Sequence, residues 1–126
     1  MLLLVAIALG RRQTKWRNIV KQYKGQRTYG VLLVTVNGQP LNPRFDLQNH
    51  SSAGFEWGYG GEGPAQLALA ILADCIGDNL ALRHYQEFKQ AVIAELPYEH
   101  WTLTEQQIRR ILSCVDRGDH PRRSCL

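Results

Sequence analysis

Residues 54–76 read GFEWGYGGEGPAQLALAILADCI, with five glycines and three aromatics in the first ten positions, then Pro64, then an alanine-leucine run. Its reading decides the fold, because Gly58-Tyr59-Gly60-Gly61-Glu62-Gly63 satisfies the letters G-x-G-x-x-G. A dinucleotide fingerprint needs that turn between a parallel strand and a helix inside a βαβ unit. Here Pro64 suits the first turn of a helix, which runs to a C′ glycine at Gly77, and Asp78 is placed to cap a second helix. No strand follows to close a βαβ unit. Glu62 sets a negative charge beside the would-be phosphate, and Pro64 removes an amide donor. The stretch therefore reads as a turn from strand into helix, with glycines supplying positive φ and Ala65, Ala68, Ala70 and Ala73 allowing the helix close to a sheet. No nucleotide cofactor and no metal is expected.

Working outward, Phe55-Glu56-Trp57 alternates as a short half-buried strand would. Thr28 to Val36 is β-rich and followed by Asn37-Gly38, a strong hairpin signal. Pro40 and Pro43 confine the return strand near Leu41 to a sheet edge. Further upstream, Trp16, Ile19, Val20 and Tyr23 mark a helical stripe that Gly25 ends. Downstream, Ala81, Tyr85, Phe88 and Val92 form the buried stripe of a helix over about Asn79–Leu96, which Pro97 stops. Thr104 and Gln107 form a capping box, with Leu103 and Ile108 as hydrophobic staple, for a last helix carrying Ile108, Ile111, Leu112 and Val115 inward. Strands followed by helices predict an α+β fold: a small antiparallel sheet, made of the Thr28–Leu41 hairpin and the Phe55–Trp57 strand, packed against three C-terminal helices. The expected organisation is a basic N-terminal extension over 1–22, one domain over 23–118 and a tail over 119–126.

The chain of 126 residues carries a net charge of +4, unevenly placed. Residues 1–27 hold seven basic and no acidic side chains, and residues 28–108 hold three basic against nine acidic, a net −6. Basic ends around an acidic body suit nucleic acid, an acidic surface or simple solubility. Leu2 to Leu9 is far shorter than the roughly 20 apolar residues of a membrane span, and its positive charges follow it, against the order of a signal peptide. A cytoplasmic location is expected. Three cysteines without C-x-x-C spacing suggest neither a disulfide framework nor a zinc site, only thiols. His50 with Asp46 and Glu56 is the one polar cluster near the glycine turn, without ligand spacing of a known type.

Phe55 to Ala70 resembles the signature of an uncharacterised family of small proteins, a domain of unknown function met in prokaryotic and phage sequences. Tyr23-Lys24-Gly25-Gln26-Arg27, Tyr85-Gln86-Glu87-Phe88-Lys89 and Trp101-Thr102-Leu103 are similar to its flanking motifs, so the resemblance spans about Tyr23 to Ile108. Glu62 departs from it, standing where the family pattern has a small residue. The resemblance implies a prokaryotic or mobile-element origin and no activity. The expectation is a non-enzymatic interaction module with an unidentified protein partner. Its contact surface is the Trp57–Glu62 loop, namely Trp57, Tyr59 and Glu62, with Arg27 and Arg44 as polar anchors. The alternative is a nucleic-acid accessory protein using Arg11, Arg12, Lys15, Trp16, Arg17, Lys21 and Lys24, and a small enzyme comes third.

Overall fold

The computed structural model describes residues 20–117. Its elements are β1 (Gln22–Thr28), β2 (Val31–Val36), β3 (Gln39–Pro40), α1 (Glu62–Ile76), α2 (Asp78–Ala91), a 3-10 turn (Ile93–Glu95), β4 (His100–Thr104) and α3 (Glu105–Arg117). The four strands form one antiparallel sheet in the order β3-β2-β1-β4. This is the expected α+β class, with three helices after the first hairpins.

Alternation makes β1. Tyr23 and Gly25 point inward, while Gln22, Lys24, Gln26 and Thr28 point to solvent. The helical stripe expected to end at Gly25 is therefore corrected at Tyr23, and its earlier members Trp16 and Ile19 lie outside the described residues. The period-2 pattern is hidden because one inward position has no side chain. Gly25 is needed there, since a Cβ would overlap the indole of Trp101 on the paired strand.

Two tight turns follow. Tyr29 and Gly30 have φ of 50° and 80°, and Asn37 and Gly38 of 50° and 86°. Both pairs are left-handed, as two-residue hairpin loops require. The Asn37-Gly38 hairpin forms as expected, but Thr28–Val36 is two strands, not one. Tyr29 concealed the first turn because tyrosine reads as a strand former. Pro40 lies on the edge strand, where its missing N–H is tolerated.

Phe55–Trp57 forms no strand; β4 takes the place beside β1 instead. That segment is an extended loop whose end is fixed by the Gly58 amide on the Ile93 carbonyl at 3.0 Å. The α1 helix begins at Glu62, two residues before Pro64, and stays buried without exception from Gly63 to Ala73. A helix apolar all round is an interior helix, and α1 sits at the centre of the core. Tyr23, Val34, Trp101 and Leu103 of the sheet join the core with residues of all three helices. The α2 helix ends at Ala91, earlier than expected, and the 3-10 turn covers the remainder. The capping box forms: Gln107 Oε1 accepts the Thr104 amide at 2.9 Å, and the Gln107 amide donates to Thr104 Oγ1 at 3.2 Å. Cys75 is buried and free, whereas Cys114 is held in a disulfide and is not the thiol expected.

Among the described residues, helices cover only one face of the sheet. On the other face Val31 and Leu33 are 68% and 52% exposed, with Tyr29 at the hairpin tip fully so. Lys24, Gln26, His100 and Thr102 lie exposed on the same face.

Candidate functional site

The glycine turn is held between two internal clamps. The first is built on Arg27, which ends β1 on the inward side. Its guanidinium donates to Glu56 at 3.1 and 3.4 Å and its Nε to the Tyr98 carbonyl at 3.0 Å. The same group lies 3.8 Å from the Tyr98 ring centroid and 4.9 Å from that of Trp57. Trp57 Nε1 donates to the same Tyr98 carbonyl at 3.0 Å, and its ring meets Trp101 edge-on at 5.5 Å. The hydrogen bonds to Glu56 raise the Arg27 pKa further above its ordinary value. With 8% of its side chain exposed, Arg27 is a strut of this clamp and no free anchor. Trp57 is 1% exposed and belongs to the core.

The second clamp fixes the long loop between β3 and α1. Gln66 is the hub, a fully buried amide in the middle of α1. Its Oε1 accepts the amides of His50 at 2.7 Å and Ser51 at 3.3 Å. Its Nε2 donates to the carbonyls of Pro43 at 2.7 Å and Gln48 at 3.0 Å. All four side-chain valences reach the loop backbone. The signal available in the sequence was a lone glutamine within an alanine-leucine run, since a buried amide must be satisfied.

His50 lies at the loop's inner end. Nδ1 is 2.6 Å from Glu62 Oε1 and Nε2 is 2.7 Å from the Tyr85 hydroxyl. With Glu62 ionised, Nδ1 carries the proton, Nε2 accepts, and the Tyr85 hydroxyl donates. The chain carboxylate–imidazole–phenol links α1, the loop and α2. Such a relay polarises a phenol. Here the Tyr85 side chain is buried against the His50 ring, 5.4 Å between centroids. The expected partners of His50 are engaged elsewhere, Glu56 with Arg27 and Asp46 with Arg44.

Arg44, in a left-handed conformation with φ 58°, grips two carboxylates. It donates to Asp46 at 3.0 Å twice and to Asp78, the first residue of α2, at 2.9 Å twice. The guanidinium hydrogen bonds hold both aspartate pKa values below the ordinary carboxylate range. A depressed native pKa gives stability that is present above the ordinary aspartate pKa of about 3.9 and is lost as pH falls below it. Arg44→Gln should lower the urea midpoint at neutral pH by a modest amount, since the pairs are solvent-exposed. It should also flatten the acid fall of that midpoint. Equal acid falls in both proteins would remove these pairs from the pH response.

Of the expected loop surface, Tyr59 and Glu62 remain outside. Tyr59 is 52% exposed, and its ring lies so near Gly61 that a Cβ there would come within 2.6 Å of it. Gly63 is fixed by a similar approach to Glu56, at 2.7 Å from an added Cβ. Gly61 and Gly63 thus serve close packing, while Gly54 and Gly58 take positive φ of 113° and 90°.

Of the residues expected to meet nucleic acid, Lys21 and Lys24 lie among the described residues. Lys21 pairs with Asp74 at 3.2 Å, where the buried Tyr23 hydroxyl also donates at 2.7 Å. Lys24 lies exposed on the open sheet face. Arg11, Arg12, Lys15, Trp16 and Arg17 lie outside the described residues. Among the described residues no group of three or more histidine, cysteine and acidic side chains is placed to hold a metal ion, and no helix is long and apolar enough to cross a membrane.

Fold and site together define a small α+β protein with a four-stranded antiparallel sheet and an internally braced glycine turn. The chain belongs to a family of unknown function, DUF6166, whose model matches residues 23–114. No curated protein and no solved structure matches it.

Proposed function

We propose that this chain is a non-catalytic interaction module of a prokaryote, phage or mobile element, binding a protein partner through the uncovered face of its sheet. The observation that carries the reading is the exposure of Tyr29, Val31 and Leu33 side by side on β2 and its hairpin, next to a polar row on β1 and β4. Apolar side chains grouped on a surface and rimmed by polar ones mark association sites. The glycine turn contributes only Tyr59 and Glu62, and Glu62 is already bonded to His50. Arg27, Arg44 and Lys21 are consumed by internal carboxylates, which favours a protein partner over nucleic acid.

The test is capture from a prokaryotic lysate by immobilised wild type and by a Val31→Lys, Leu33→Glu variant. Both substitutions replace exposed side chains, so the circular dichroism and melting curve should be unchanged. A retained protein that the variant loses supports the reading. Equal capture by both removes the sheet face from it, and capture abolished by nuclease hands the function to nucleic acid.

A further inference from the structure

We infer that the open edge of β4 accepts an extended, acidic segment of a partner protein as a fifth strand. The inference rests on the interaction-module reading and names the partner's chemistry. The sheet has two edges, and they differ. At one, β3 is two residues long and ends in Pro40, which has no amide hydrogen to offer. At the other, β4 runs five residues without proline or lysine, two of the devices that blunt an edge.

The register says which β4 groups point outward. The amide of Arg27 donates to the Glu99 carbonyl and that of Glu105 to the Lys21 carbonyl, each at 2.9 Å. Since hydrogen-bonding direction alternates along a strand, Glu99, Trp101, Leu103 and Glu105 address β1. His100, Thr102 and Thr104 address the open side. The Thr104 amide is taken by Gln107. Among the described residues the amides and carbonyls of His100 and Thr102 have no hydrogen-bond partner, which leaves two donors and two acceptors at the two-residue spacing of a ladder. Strand addition uses such groups for affinity and alternate side chains for specificity.

Those side chains point to an acidic guest. His100 and Thr102 stand on the uncovered face opposite Gln26 and Lys24 respectively. A hollow of about 480 Å³ runs along this pair of strands, lined by these four side chains among others. Lys24 is exposed and, among the described residues, has no ion pair. Glu99 lies at one end of the hollow, so the unpaired cation facing a guest is Lys24. A carboxylate on every second residue of the guest falls on that face. A second copy of the chain is the poorer occupant. Self-pairing about Thr102 would set His100 against Thr104, whose amide is already used. It would also rest on a strip of five residues, well short of the roughly 1,200 Å² of a stable interface between two folded copies.

The probe is the capped heptapeptide Thr-Glu-Val-Glu-Val-Glu-Thr, titrated to millimolar concentration into the 15N-labelled full chain. Controls are its lysine-for-glutamate counterpart and a version N-methylated at alternate amides. Saturable shifts and slowed hydrogen exchange at the His100 and Thr102 amides are expected, and should vanish with the N-methylated peptide. Lys24→Glu should weaken the acidic peptide about threefold and strengthen the lysine one. No change at His100 and Thr102, or equal binding of the N-methylated peptide, overturns the strand-addition site. Shifts confined to Val31 and Leu33 also overturn it, while leaving the module reading standing. Protection of His100 and Thr102 that grows with protein concentration alone overturns it in favour of a second copy.

Discussion

Trp57→Ala should cost about 3–5 kcal/mol of stability, the range for truncating a buried indole, and lower the melting temperature by about 10 °C or more. The loss has three sources. Trp57 is 1% exposed, so its removal opens a void beside Trp101 that the edge-on ring pair cannot close without shifting. Its Nε1 donates to the Tyr98 carbonyl, which keeps only the Arg27 bond. The Arg27 guanidinium loses one of the two aromatic faces that cover it, and a poorly covered charge is expensive to keep inside. Trp57→Phe separates these, because it keeps a ring against Trp101 and Arg27 while deleting the indole donor. It should cost far less, about 1–2 kcal/mol. Urea unfolding of the three proteins is the measurement. A Trp57→Ala protein within about 1 kcal/mol of wild type would mean the indole is a surface side chain after all, as the sequence suggested.

The reason that suggestion arose lies in Arg27 and Trp57 themselves. An arginine and a tryptophan near a glycine turn look like contact residues, because charge and large aromatics both favour interfaces. The actual arrangement depends on Tyr98 stacking over Arg27 from 71 positions away, and no local spacing encodes that. The helices were legible for the opposite reason. The Thr104–Gln107 box, the C′ glycine at Gly77 and the stripe Ala81, Tyr85, Phe88 and Val92 are all local signals, and each is found in place. Two strands escaped. In β1 the inward positions are tyrosine, glycine and arginine, so alternation carries no hydrophobic contrast. In β4 the five residues abut the capping box directly, leaving no turn signal to separate strand from helix. The His50 chain to Glu62 and Tyr85 spans 12 and 35 positions and likewise had no spacing to reveal it.

Gln66→Leu is expected to loosen the loop between β3 and α1 while leaving the sheet and helices formed. Leucine fills much of the same volume, so the cavity contribution is small. What is lost is four hydrogen bonds to the backbone of Pro43, Gln48, His50 and Ser51. Groups left facing an apolar side chain cost about 1–3 kcal/mol each unless they reach water. Since the loop is partly exposed, some will, and a total near 3 kcal/mol follows. Hydrogen exchange should then show the amides of His50 and Ser51 unprotected at conditions where those of Tyr23 and Leu103, paired across β1 and β4, still hold. Gln66→Glu gives a signed control. Its oxygen still accepts the two amides, but its second oxygen faces two carbonyls. The carboxyl is therefore more stable protonated, with a native pKa above the ordinary glutamate value. A raised carboxyl pKa costs stability at high pH and relieves that cost as pH falls. Gln66→Glu should thus be weakest at neutral pH and recover toward pH about 4, opposite in slope to the contribution of the Arg44 pairs. If Gln66→Leu leaves the His50 and Ser51 amides as protected as in wild type, the loop is held by the Arg44 and His50 contacts alone, and Gln66 is not its hub.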